Sequence, residues 1–162
     1  MKRRAAFAGA AAATAIAAGG AQPASAQLFA DCHIGGGGQI LAANGDQATF
    51  GGSASATVAQ SVAHQVYVDH GPAARFRFRS LPVAAVVCNP DARRAELTGT
   101  GVVDPETGPD QVVAYEIGLF APNGRQLDDT YRLTLSNGYT SGEQPVERGN
   151  ITIVFGDITV LP

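Results

Sequence analysis

The sequence predicts an all-β fold: an antiparallel β-sandwich of about 8–9 strands, preceded by a cleaved signal peptide. Three observations predict it. The first 26 residues have the three-part plan of an export signal. After residue 27 helical periodicity is almost absent and period-two alternation is abundant. Turn-forming residues punctuate the chain at short, regular intervals.

The signal reads as follows in the chain. Lys2, Arg3 and Arg4 form a positive cluster, Ala5 to Ala18 carries no charge, and Gly19 to Ala26 ends in Ala24-Ser25-Ala26. That pattern places cleavage before Gln27. The stretch is short and Ala-rich, whereas a membrane-spanning helix needs roughly 20 strongly apolar residues. Arg3-Arg4 also suits twin-arginine export beside general secretion, although Phe7 lies one place too far on for the rest of that pattern. Residues 1–26 are therefore assigned to the signal peptide and 27–162 to a single domain, long enough to bury its own core. The expected location is secreted or periplasmic, with no transmembrane segment in the mature chain.

Cleavage leaves eight arginines, no lysine and fourteen carboxylates, a net charge of about −6. Non-specific nucleic-acid binding needs a basic footprint, so nucleic acid is excluded as a partner class. Cys32 and Cys88 are the only cysteines. In an exported chain such a pair predicts a disulfide, worth roughly 4 kcal/mol by the loop-entropy relation. A metal site on these thiols would need two further ligands, and adjacent Cys32 and His33 point to opposite faces of a strand.

The late strands are the clearest. Val113, Tyr115, Ile117 and Leu119 share one face; Tyr131, Leu133 and Leu135 alternate with Arg132, Thr134 and Ser136; Ile151, Ile153 and Phe155 alternate with Thr152 and Val154. Earlier strands are predicted over 39–41, 48–57, 65–69, 74–81, 84–87 and 94–103, with a last one over 158–160. Asn44-Gly45-Asp46, His70-Gly71-Pro72, Asn89-Pro90-Asp91, Asp104-Pro105-Glu106, Pro122-Asn123-Gly124, Asn137-Gly138 and Gly149-Asn150 supply the turns. The Ala- and Ser-rich run 53–64 fits one long strand or a strand and a short helix. Gly35 to Gly38 permits a close backbone approach, a bulge or a flexible lead-in. It is not a phosphate loop, because no Lys and no helix follow it.

An ordered series of short pieces runs from Gly35-Gly36-Gly37-Gly38-Gln39-Ile40 through Ala48-Thr49-Phe50-Gly51, Asp69-His70-Gly71 and Leu97-Thr98-Gly99-Thr100-Gly101. It continues through Asp129-Thr130-Tyr131, Leu133 to Tyr139, Ser141-Gly142 and Gly149 to Ile153. This order resembles the exported bacterial post-COAP modules, which follow choice-of-anchor P regions in surface proteins. The resemblance implies an extracellular β module with no active site to carry over. No anchor region precedes the module and no sorting tail follows it, which favours free release or a periplasmic home.

Chemistry has few footholds. Asp69-His70 is dyad-like in type, but neighbours on a strand face opposite ways, so Asp69 is expected to cap the turn that His70 begins. His64 and His70 lie roughly 20 Å apart along a straight strand and cannot share a zinc; His33 stands alone. Asn123, Asp128 and Asp129 are weak calcium candidates, as are Asp104, Glu106 and Asp110, without the spacing of a known ligand loop. Acids are also simply common in turns. Ser53, Ser55 and Ser61 lack a nucleophile-elbow context. No catalytic residue and no cofactor is therefore assigned.

Arg75-Phe76-Arg77-Phe78-Arg79 is a further candidate. Alternation sends Phe76 and Phe78 into the core and lines Arg75, Arg77 and Arg79 along one outward ridge. Cross-strand pairing with carboxylates such as Glu96 or Glu116 would neutralise the ridge; left open, it would take an anionic glycan or acidic partner through bidentate guanidinium contacts. The predicted function is a secreted binding or structural module whose partner is an extracellular protein or glycan. The alternatives are an enzyme accessory or divergent hydrolase, or a calcium-stabilised extracellular interaction domain.

Overall fold

The computed structural model describes residues 28–57, 59–122 and 128–160. The expected signal peptide, residues 1–26, lies outside them, as does Asn123. Among the described residues the chain is all-β: β1 (Leu28–Leu41), β2 (Gln47–Ala56), β3 (Ser61–Asp69), β4 (Phe76–Asn89), β5 (Arg94–Pro105), β6 (Gln111–Phe120), β7 (Thr130–Leu135), β8 (Gln144–Pro145) and β9 (Arg148–Val160). All nine belong to one antiparallel sheet in the order β8-β7-β6-β5-β4-β3-β2-β1-β9.

This single sheet corrects the expected sandwich. From β1 to β7 every strand pairs with the next one in sequence, so no connection carries the chain into a second sheet. The core forms because the sheet curls on itself. Phe50 of β2 stacks on Tyr131 of β7 with ring centroids 4.0 Å apart, although four strands separate β2 from β7 in the sheet. Tyr67 of β3 lies 6.0 Å from the same ring. Leu97, Ile117 and Leu133 stand opposite one another on β5, β6 and β7 and are fully buried, each worth roughly 1.5–3 kcal/mol of apolar burial.

Residues 139–147 link the two sides of the curl. On the β7 side the amides of Leu135, Ser141 and Val146 donate to the carbonyls of Tyr139, Leu133 and Asp129. On the β1 side the Ala43 amide donates to Ser141 O and the Glu147 amide to Gln39 O. Both flanks of this segment are thus used, which covers what would be open strand edges.

Several local expectations resolve at once. The run 53–64 is a β2–β3 hairpin with no helix among its described residues. The two strands expected over 74–81 and 84–87 are one strand with a bulge between Ser80 and Ala84. The pair expected over 151–155 and 158–160 is likewise one strand, β9. Gly35 to Gly38 lies inside β1 and serves a close approach: a Cβ on Gly37 would sit 2.9 Å from Phe50 O. Cys32 and Cys88 form the expected disulfide, joining β1 to β4 with their Cα atoms 6.5 Å apart.

Candidate functional site: a cationic groove on the outward face

Alternation along β4 places the ridge as its sequence requires. Phe76 and Phe78 are buried, while Arg75, Arg77 and Arg79 are exposed. The expected partners of the ridge are corrected by the register. Glu96 stands opposite Val87 and Gly118, and Glu116 forms an ion pair with Arg132 of β7. Arg75 instead donates to Glu106 at 3.2 Å and to the His70 carbonyl at 3.3 Å. The register does set a carboxylate against the ridge: Arg77 stands opposite Asp104 of β5, both exposed, without a contact inside 4.0 Å, whereas Arg79 faces Val66 and Val102 and has no carboxylate within 4.0 Å among the described residues.

Beside Arg79 the outward face is hollowed into a groove of about 560 Å³. Thr49, His64 and Arg79 line it with Val66, Val68 and the backbone of Gly51-Gly52. Two sequence features open it. Gly51 and Gly52 contribute no side chains. Ser80 inserts its hydroxyl into the β3–β4 ladder: Oγ accepts from the Gln65 amide at 2.8 Å and donates to Ala63 O at 3.1 Å. Strand pairing lapses there, between Val62↔Val83 and Val66↔Arg79. Gln65 also belongs to the groove's lining, although its side chain follows the inward series of β3, and its Nε2 is buried with no hydrogen-bond partner among the described residues.

Two other clefts differ from it in charge balance. One of about 520 Å³, lined by His70, Pro72, Arg75, Pro105 and Glu106, holds an arginine already paired with its glutamate. The other, of about 40 Å³, contains Arg94 3.0 Å from Glu143, and Arg132 beside Glu116. The Thr130 hydroxyl, followed by Arg94, holds the Glu143 carboxyl below the usual carboxylate range.

At the turn end the interior holds a different polar set. Asp69 is buried; its Oδ1 accepts from the Gly71 amide at 3.1 Å, and its Oδ2 from Tyr139 Oη at 2.9 Å and Asn44 Nδ2 at 3.2 Å. Tyr139 and Tyr67 hydroxyls meet at 2.6 Å. Asp46 accepts from the Ala73 and Ala74 amides, both at 2.9 Å, and from Asn44 at 3.2 Å. Burial pushes the Tyr67 phenol well above its usual range. Burial, then the contacts with Tyr67 and Asp69, does the same to Tyr139. Asp69 thus caps its turn as expected, but it also anchors a network that joins the β1–β2 turn, β3 and the loop after β7. His70 points away from it and meets Thr49 Oγ1 at 2.9 Å.

Of the calcium candidates, Asp129 is buried and its Oδ2 accepts from the Ile151 amide at 2.8 Å, while Asp128 is exposed. His33 is exposed on β1, opposite in face to buried Cys32. Gln65, Ser80, Asn44 and Asp46 are the site residues that sequence reasoning missed. For Gln65 a signal existed: it falls in the inward series Ala63-Gln65-Tyr67-Asp69 of β3, where a polar residue needs a reason.

No family model matches the chain, and no match is found among curated proteins or solved structures. The functional reading therefore rests on the groove itself.

Proposed function

We propose that the chain is an exported, non-catalytic binding module that holds an acidic oligosaccharide on the outward face of β2, β3 and β4. The observation that carries this reading is Arg79, exposed in the lining of the groove with no carboxylate within 4.0 Å among the described residues, with Arg77, which faces Asp104 across the β4–β5 ladder, next to it on the same face. Guanidinium forks match carboxylate and sulfate oxygens bidentately. The groove is of a volume that suits a few sugar units. Val66 and Val68 offer the C–H face of a sugar ring an apolar floor.

The rest of the chemistry agrees. The mature chain carries about −6, so an acidic ligand is drawn to local positive charge such as that at Arg79. An acidic protein partner fits less well, because protein interfaces concentrate aromatic side chains and the outward positions of β2, β3 and β4 carry none. The disulfide supports an oxidising, extracellular-type setting. So do the export signal and the resemblance to post-COAP modules.

Retention on immobilised polygalacturonate, compared with neutral dextran at low salt, tests the reading. The wild type is expected to bind the acidic matrix alone, and Arg77→Ser/Arg79→Ser to elute with the void. Equal elution of wild type from both matrices, or unchanged retention of the double variant, overturns it. Capture of an acidic peptide in preference to the uronate polymer would give the groove to a protein partner instead.

A further inference from the structure

We infer that His64 is a second anion-binding residue of this groove: its protonated imidazole contacts the same acidic group as Arg79, so the ligand is held more tightly as pH falls. The inference rests on the groove reading and adds a residue and a pH dependence to it. His64 lines the groove, and alternation along β3 exposes it on the same outward face as Val66. Val66 stands opposite Arg79, and the register on both sides of the lapse in pairing sets Leu81 across from His64. His64 and Arg79 are therefore diagonal neighbours on adjacent strands, a relation that spaces two residues roughly 7–8 Å apart in a regular ladder. Both side chains are long enough to reach one carboxylate or sulfate set between them.

The surroundings of His64 leave its counter-ion to come from outside. On the β2 side it stands opposite Ser53, with Gly51 and Ser55 in the rows to either side. On the β4 side the same rows carry Arg79, Leu81 and Val83. Arg79 is the charged group among them. Neither β2 nor β4 contains an acidic residue, and Asp69 of β3 is turned inward and buried. A protonated imidazole here meets a like charge and no carboxylate within 4.0 Å among the described residues. An anion that touches both cations relieves their repulsion, and by linkage proton and anion each strengthen the binding of the other. Imidazole is the side chain whose charge ordinarily changes between about pH 5 and 8, while a sugar carboxylate stays ionised over that range. The other two histidines are placed differently: His70 meets Thr49 Oγ1 at 2.9 Å, and His33 lies on β1, outside the groove's lining.

The test uses the full mature protein and oligogalacturonate as probe, with binding measured calorimetrically from about pH 8 down to about pH 5.5. The wild type is expected to gain about tenfold in affinity over that range, the difference between a neutral and a charge-assisted hydrogen bond. It is also expected to take up a proton on binding, read from the dependence of the heat on the ionisation enthalpy of the buffer. His64→Gln keeps a donor but cannot titrate; it is expected to bind under acid conditions no more tightly than the wild type does at the alkaline end. His64→Lys is expected to hold the tight binding across the whole range. Wild-type affinity that does not change with pH, or acid strengthening undiminished in His64→Gln, overturns the role of His64 and leaves the groove standing. Absence of wild-type binding at every pH, or unchanged binding in Arg77→Ser/Arg79→Ser, overturns the groove itself.

Discussion

Two buried polar groups on the same strand, four residues apart, have opposite surroundings. Asp69 has both oxygens occupied, by Tyr139, Asn44 and the Gly71 amide. Gln65 has a nitrogen with no partner among the described residues. Both lie on the inward series of β3 and both are under a tenth exposed. The difference teaches which buried polar groups hold the turns together and which weaken the fold. A satisfied network specifies how the turns meet. A buried donor without a partner lowers stability.

Breaking the satisfied side should have the largest effect. Asp69→Ala strips the acceptor from three donors at once, and a loss of roughly 3–5 kcal/mol is expected. Urea unfolding followed by circular dichroism reads it. A loss under about 1 kcal/mol would mean that the network does not hold the turns together.

Alkaline pH attacks the same region by a different route. All four tyrosines of the chain, Tyr67, Tyr115, Tyr131 and Tyr139, have their pKa raised, in each case by burial first. In the unfolded chain a tyrosine ionises near pH 10. Between that pH and the raised folded values the folded state holds more protons, so stability is full below about pH 10 and falls as pH rises above it. Fully buried Tyr131 alone contributes up to about 1.4 kcal/mol per pH unit in that window. Absorbance at the tyrosinate band is expected to rise only together with unfolding. Phenolate signal appearing near pH 10 with the sheet intact would contradict the burial.

Tyr139→Phe separates one link from the rest. It leaves Tyr67 Oη and one Asp69 bond without a partner, but the Asn44 and Gly71 bonds to Asp69 remain. A loss of about 1–2 kcal/mol is expected, clearly smaller than for Asp69→Ala; equal losses would mean that the tyrosine pair carries the whole network.

How much of this was legible in the sequence depends on what each feature needs. The faces of β6 and β7 read directly, because Val113 to Leu119 and Tyr131 to Leu135 bury one side and alternation records it. The first strand did not read over Gly35 to Gly38, since glycine carries no side chain to alternate. The single curled sheet was illegible for another reason. It shows in contacts such as Phe50 on Tyr131, which join strands far apart in sequence. The disulfide partners and the outward direction of Arg77 and Arg79 followed from counting and from period two. The partner of Arg75 did not, because one register decides whether Glu96 or Glu106 lies beside it. The groove was hidden too, since it depends on a serine hydroxyl entering a ladder.

The smallest effect comes from the end of the ridge that is already paired. Arg75 and Glu106 are both more than half exposed, and an exposed pair contributes at most about 1 kcal/mol, screened by salt. Arg75→Ala is therefore expected to change stability by under about 0.5 kcal/mol. Its effect on binding sharpens the comparison along β4. If ligand affinity depends on guanidiniums free of carboxylates, Arg75→Ala should weaken polygalacturonate retention far less than Arg79→Ala does. Glu106→Gln, which frees Arg75 without removing it, should strengthen retention slightly. Equal losses for Arg75→Ala and Arg79→Ala would show that the strip acts through its total charge, and the groove beside Arg79 would lose its claim to be the place where the ligand sits.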